Sequence, residues 1–270
     1  MAHEIAPLVR RWIEGHIAAA RPGHVPLLFI SGAQGSGKST ALAEALRALA
    51  APAAGLSLDD VYLTRAERSA RAARSGPLFA VRGPPGTHDL ALLEATITAL
   101  RAAGPETMTP LHQFDKASDD RSPRGAWRTV RGRPAAIAIE GWMMGVLPDP
   151  DAPDTPPINP VEASDDTDRT WRRAQEAELA GPYAALWDRA DGFLHILAPD
   201  FGCVSAWRLE QEESLMASRG KALTDERRAW VLNFVQYYER LTRRMLAGGR
   251  RQGAEIHIDA GRRVIRTAGL

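Results

Sequence analysis

What this chain has little of excludes several protein classes. Its single cysteine, Cys203, can form neither an internal disulfide nor a Cys-rich metal site. Neither sign of charge is in excess: 34 Lys and Arg stand against 33 Asp and Glu, a formal +1. So small a net charge gives no global field for gripping nucleic acid or an anionic membrane, and any phosphate site must be local. Long apolar runs are missing too. The longest, around residues 135–147, contains Glu140 and is too short to span a bilayer. The first residues, with Glu4 and Glu14, do not read as a signal peptide, so a reducing cytoplasm is the expected setting. The seven histidines are scattered, with no metal-ligand pair at helical or finger spacing. No internal repeat and no Asn-Lys-x-Asp guanine-reading motif occurs.

What is present fits one domain over residues 1–270. Hydrophobic residues make up 44% and charged residues 25%, an ordinary globular balance. Ile5, Leu8, Val9, Trp12, Ile13 and Ile17 recur at helical spacing, which predicts an N-terminal helix within residues 1–22. Continuous apolar runs at 27–30 and 135–139 predict buried strands, and 55–58 and 193–197 read as two more strands. Helices are predicted over 39–49, 90–100 and 225–246. The last carries Trp230, Phe234, Tyr237, Leu241 and Met245 on one side. Residues 254–259 and 263–266 read as terminal strands. Strands alternating with helices imply an α/β fold with a mostly parallel sheet. Residues 147–160 hold six prolines and are expected to be extended and exposed. Trp142, Trp171, Trp187, Trp207 and Trp230 are expected in the core.

The sharpest chemical signal is Gly32-Ala33-Gln34-Gly35-Ser36-Gly37-Lys38-Ser39, followed by Thr40. It matches the P-loop pattern in full, with an apolar strand before it and a helix after it. Its glycines let consecutive backbone N–H groups face a phosphate, and the helix N-terminus adds partial positive charge. In such a loop Lys38 reaches the β- and γ-phosphates of ATP and Ser39 holds Mg²⁺. Glu140 ends a buried strand, where the second acidic group of a P-loop protein polarises Mg²⁺ or its water. Asp59-Asp60 ends another strand, where ligands bind in open α/β sheets. Asp59 is the expected base for a hydroxyl and Asp60 a cap or support, since Asp also suits a helix N-cap. Of the cations still to be placed, Arg82 and Arg121 flank polar loops with no core-forming period. Asp200-Phe201-Gly202 mimics a protein-kinase triplet, but no His-Arg-Asp loop accompanies it.

Several segments together resemble D-glycerate 3-kinase of the plant and fungal type and its bacterial relatives. They are Ser57-Leu58-Asp59-Asp60-Val61-Tyr62, Arg82-Gly83-Pro84-Pro85-Gly86-Thr87-His88-Asp89, Phe114-Asp115-Lys116, Glu140-Gly141-Trp142 and Trp207-Arg208-Leu209-Glu210-Gln211-Glu212. The wider group contains phosphoribulokinase, uridine kinase and pantothenate kinase. The resemblance implies a three-layer α/β/α P-loop fold with helical lid segments. It also implies an ATP- and Mg²⁺-dependent kinase for a small acid, D-glycerate first. It assigns Asp59, His88 and Asp89 to the acceptor, Asp115, Lys116 and Arg121 to an acceptor-side loop, and Arg208 to the lid over the phosphates. Arg82, Lys116 or Arg121 is then expected to anchor the acceptor's carboxylate. Val61 and Phe114 depart from the family's usual Phe and Tyr. Only Ala117-Ser118-Asp119 separates Lys116 from Asp120-Arg121, where plant and fungal members carry a glycine-rich insertion. That shorter loop bears on the acceptor, leaving a nucleoside, pantothenate-like or other sugar acid open. A regulatory or chaperone ATPase docking a protein through residues 147–160 is the reading from another class.

Overall fold

The computed structural model describes residues 2–270. In chain order the elements begin α1 (Ala2–Ala19), β1 (Leu27–Gly32), α2 (Lys38–Ala48), β2 (Ala53–Ser57), α3 (Arg65–Ser75) and α4 (Leu90–Ala102). Then come β3 (Met108–Leu111), β4 (Phe114–Asp115), β5 (Asp120–Arg121), β6 (Arg128–Arg131) and β7 (Ala136–Gly141). Three short helices follow, α5 (Pro160–Asp165), α6 (Thr170–Glu178) and α7 (Ala184–Trp187). The chain ends with β8 (Gly192–Leu197), α8 (Phe201–Ser218), α9 (Asp225–Leu246), β9 (Ala254–Ile258) and β10 (Val264–Ala268).

Six strands form the central sheet in the order β10-β9-β8-β1-β7-β2. All neighbours are parallel except β10, which runs antiparallel to β9. Every residue of β1 is buried, as its unbroken apolar run requires of a strand covered on both faces. Alternate side chains of β1 enter opposite cores. Leu27 and Phe29 pack with Leu93 and Ile97 of α4, Leu186 and Trp187 of α7, and Leu241 and Met245 of α9. Leu28 and Ile30 pack with Val9 and Ile13 of α1, Ala41 and Ala45 of α2, and Val204 of α8. This is the three-layer α/β/α arrangement. The N-terminal helix thus covers its own sheet, and Glu4 accepts a hydrogen bond from the Val264 N–H of the edge strand at 3.0 Å.

Two expectations fail. Residues 147–160 are not simply extended and exposed. Ala152–Asp154 form a 3-10 turn in which Ala152 and Pro153 are buried, and Asn159 caps α5. Arg240 binds the Pro156 carbonyl at 2.9 Å and the Thr155 hydroxyl at 2.7 Å, so the prolines are strapped to α9. Trp230 is also not core: it is 43% exposed, while the other four named tryptophans are buried. The next residue, Val231, is buried, as are Val235 and Tyr238, so the inner face of α9 at that end runs through them and leaves Trp230 beside it.

Candidate active site

The P-loop sits at the carboxyl end of β1. Gly35 and Gly37 have φ of +80° and +88°, the left-handed region that L side chains avoid. A Cβ on Gly35 would also collide with Cβ of Trp207. Gly37 is the N-cap of α2 and offers no side-chain hydrogen bond, so the first N–H groups of that helix are left to a ligand. Ser36 Oγ and Gln34 Oε1 are buried without partners at the same turn. Ser39 and Thr40 lie exposed on the first turn of α2. This is the geometry of an anion cradle.

Behind the loop, β7 delivers Glu140. Its Oε1 accepts a hydrogen bond from Ser39 Oγ at 2.9 Å, and its Oε2 lies 3.8 Å from Lys38 Nζ. A hydroxyl and a carboxylate side by side are the oxygen donors that a hard cation takes. Among the described residues, no group of three or more His, Cys, Asp or Glu could hold a metal ion. Mg²⁺ at nucleotide sites needs no such cage, because waters and phosphate oxygens complete its shell.

The strand β2 runs parallel to β7, and Ser57 pairs in register with Glu140. Ser57 then caps a 3-10 turn, Leu58–Val61, by accepting the Asp59 N–H. The capping role expected of an Asp thus falls to Ser57, and Asp59 is freed to face the cleft. Its Oδ1 accepts the Tyr62 hydroxyl at 2.7 Å and its Oδ2 the Lys116 ammonium at 2.6 Å. Burial alone would raise this carboxyl; the charges of Lys116 and Lys38 and the two hydrogen bonds outweigh it and hold Asp59 well below the usual range. Asp60 points the other way and does not line the cleft. It accepts the Phe114 N–H at 3.3 Å, and burial pushes it up to about 6.

One cleft of about 710 Å³ gathers Gln34, Lys38, Asp59, Arg82, Asp115, Lys116 and Arg208. Seven predicted residues therefore meet in one place. Three other residues expected on the acceptor side do not line it. Asp89 caps α4 by accepting the Leu92 N–H, and Arg121 donates to Asp89 at 2.8 Å and to the Tyr62 carbonyl at 3.0 Å. Arg121 is thereby committed to structure, not to a ligand's carboxylate. His88 is buried behind Tyr62, stacked on it at 4.7 Å and 2.6 Å from the Tyr183 hydroxyl through Nδ1. Burial lowers its pKa to about 3, so it is a neutral packing group. Asp115 uses its carboxylate to hold its own turn, accepting the Ala117 N–H at 2.9 Å.

The cleft also contains residues that the sequence did not single out. Asp119, with φ of +56°, pairs with Arg82 and with the fully buried Arg68. On the outer wall, buried Glu212 bridges Arg208 and Arg227, each at 2.8 Å. Trp230 stacks on Phe234 at 5.1 Å, and the Arg227 guanidinium covers it at 4.0 Å. A signal for Glu212 existed in its spacing four residues after Arg208 on one helix. None existed for Asp119, whose role depends on where Arg82 lies.

No protein-family model matches the chain. A protein of Schizosaccharomyces pombe, described as an uncharacterized kinase, is 31% identical over 222 residues, 78% of each chain. The chloroplastic D-glycerate 3-kinase of Arabidopsis thaliana is 31% identical over 232 residues, 79% of this chain. This chain spans only 46% of that longer protein. The solved structure of D-glycerate 3-kinase from Cryptococcus neoformans superposes with a TM-score of 0.77 at 25% identity, over 100% of this chain and 99% of that one.

Proposed function

The chain belongs to the D-glycerate 3-kinase family of P-loop kinases, and from that premise we propose that it phosphorylates D-glycerate with ATP, giving ADP and 3-phosphoglycerate. One observation carries the acceptor class: Asp59 shares a cleft with Lys38 and has the cations Lys116 and Arg82 beside it. A small anionic acid needs such a cationic clamp. A neutral nucleoside would leave both cations without a ligand. Regulation by a protein docked on residues 147–160 loses support, because that strap is tied to α9.

In this mechanism the N–H groups of residues 36–38 and the Lys38 ammonium cradle the phosphates. Gly32, Gln34, Gly35, Gly37 and Thr40 complete the loop. Ser39 would hold Mg²⁺ directly and Glu140 through water; the ion, when bound, neutralises charge on the β- and γ-phosphates. Asp59 orients the acceptor hydroxyl and takes its proton as the oxygen bonds to the γ-phosphorus and the bond to ADP breaks. Arg82 and Lys116 hold the acceptor's carboxylate. Arg208 leaves Glu212 to face the transferring group. The whole chain serves as one kinase domain in a reducing cytoplasm, which suits the free Cys203.

ADP release from Mg-ATP tests the assignment across D-glycerate, L-glycerate, uridine, pantothenate, ribulose 5-phosphate and a blank. Turnover with D-glycerate at about 1–100 s⁻¹, the usual range for kinases, supports it. Turnover with uridine or pantothenate, and none with D-glycerate, assigns another acceptor.

A further inference from the structure

Only three of the 34 cationic residues are lysines, and two of them, Lys38 and Lys116, line the cleft. Lys116 stands on a turn held by the Asp115 carboxylate, and its side chain is 60% exposed. Its ammonium nevertheless reaches 2.6 Å from Asp59 Oδ2, while Tyr62 takes Oδ1. Both oxygens of the expected base are therefore engaged by donors. Each oxygen keeps a free lone pair, but an ammonium at 2.6 Å stabilises the anion, and Asp59 stays a weak base until Lys116 moves off. A lysine suits this, being a point charge on a flexible stem; an arginine fork would hold the carboxylate at two points. The second cation has the same arrangement, Arg82 being paired with Asp119.

We propose that Lys116 is a specificity-determining residue that holds Asp59 back from water and neutral alcohols and releases it to acceptors whose own carboxylate draws the ammonium away. This rests on the kinase reading but not on D-glycerate as the acceptor. The reaction it prevents is hydrolysis. There a water oxygen bonds to the γ-phosphorus, the phosphorus–bridging-oxygen bond breaks with its electron pair left on ADP, and the water proton passes to Asp59. Productive transfer balances identically, with the acceptor hydroxyl in place of water. Lys116 and Lys38 are the cations facing Asp59. Tyr62, Asp60, His88 and Tyr238 are the other titratable groups around it.

The experiment measures ATP hydrolysis by Lys116→Met across a pH series, without acceptor and with glycerol as a neutral alcohol. The expected result is a rise of about tenfold or more in acceptor-free hydrolysis, part of the 10²–10⁴-fold that a positioned base contributes. The acid limb of the profile should move up toward the ordinary carboxylate range, a change that a merely structural lysine would not produce. Lys116→Arg, which keeps a cation on Asp59 and can hold it at two points, should give no rise. A Lys116→Met protein that binds ATP normally but hydrolyses it no faster than the parent overturns the proposal, as does an acid limb that stays in place. If D-glycerate is not phosphorylated by the parent enzyme, the acceptor assignment falls and the hydrolysis comparison still decides the role of Lys116.

Discussion

The two halves of the cleft are built in different ways. The nucleotide half comes from one stretch of chain, residues 32–40, and its shape is made by backbone: two left-handed glycines and an uncapped helix end. The acceptor half converges from distant segments. Asp59 comes from the end of β2, Arg82 from the stiff turn before α4, Lys116 and Asp119 from the loop between β4 and β5. There the groups that face the ligand are side chains, and ion pairs between them, Lys116 with Asp59 and Arg82 with Asp119, set their positions. A backbone site has one shape and suits the invariant triphosphate. A side-chain site can exchange partners, which is what accepting and releasing a small acid requires.

The largest effect should come from the residue between the halves. Asp59→Asn keeps the shape and can still bind the acceptor, but it cannot take the proton. kcat should fall about 10²-fold or more with the ATP affinity retained, as pre-steady-state transfer and nucleotide titration would show. A loss below tenfold would remove Asp59 as the base; Asp60 faces away, and Asp115 and Asp119 are then the carboxylates of the cleft to test.

The halves themselves separate through a pair of variants. Gly35→Ala forces a side chain into the left-handed region, which costs about 1–2 kcal/mol, and against Trp207 as well. ATP affinity should fall about tenfold to a hundredfold, with the acceptor KM little changed. Arg82→Ala should do the reverse. Its acceptor KM rises about tenfold, the low end for a charge-assisted hydrogen bond, since Asp119 already competes for the guanidinium. If Arg82→Ala moves only the ATP KM, the division into halves is wrong.

The same division decides what is legible in the sequence. Continuous apolar runs announced the central strands, and the glycines with Lys38 announced the nucleotide half, because both are local in the chain. In the acceptor half, a strand end pointed to Asp59 and a polar loop to Arg82, while His88, Asp89 and Asp115 came through resemblance. His88 and Asp89 follow a family pattern, yet here one packs behind Tyr62 and the other caps α4. Helix α3 escaped notice because it has no apolar stripe; what it buries is Arg68, whose guanidinium binds the Leu63 and Ala80 carbonyls and Asp119. The capping box of Thr64 and Glu67 was its one local signal. Trp230 falls outside the core because α9 carries a second apolar row, Val231, Val235 and Tyr238, and that row faces inward.

The smallest effect sharpens the comparison at a single peptide bond. Asp59 and Asp60 are neighbours, yet their carboxyls shift in opposite directions, since one faces cations across the cleft and the other is buried behind it. Burial raises Asp60 to about 6 from an ordinary 3.8, against the Phe114 N–H and Arg128, which oppose the rise, and with Asp59 and Glu140 adding to it. A carboxyl raised on folding favours the native state while it is protonated in both states. That contribution is complete below about pH 4 and is lost as pH climbs through about 6. Asp60→Asn keeps an acceptor for Phe114 and removes the titration. Its Tm should exceed the parent's at pH 8, with the gap narrowing through about pH 6 and closing below about pH 4. A lower Tm at pH 8 would mean that the Asp60 anion is itself needed, with Arg128 outweighing burial, and the two carboxylates would then differ in partner rather than in exposure to charge.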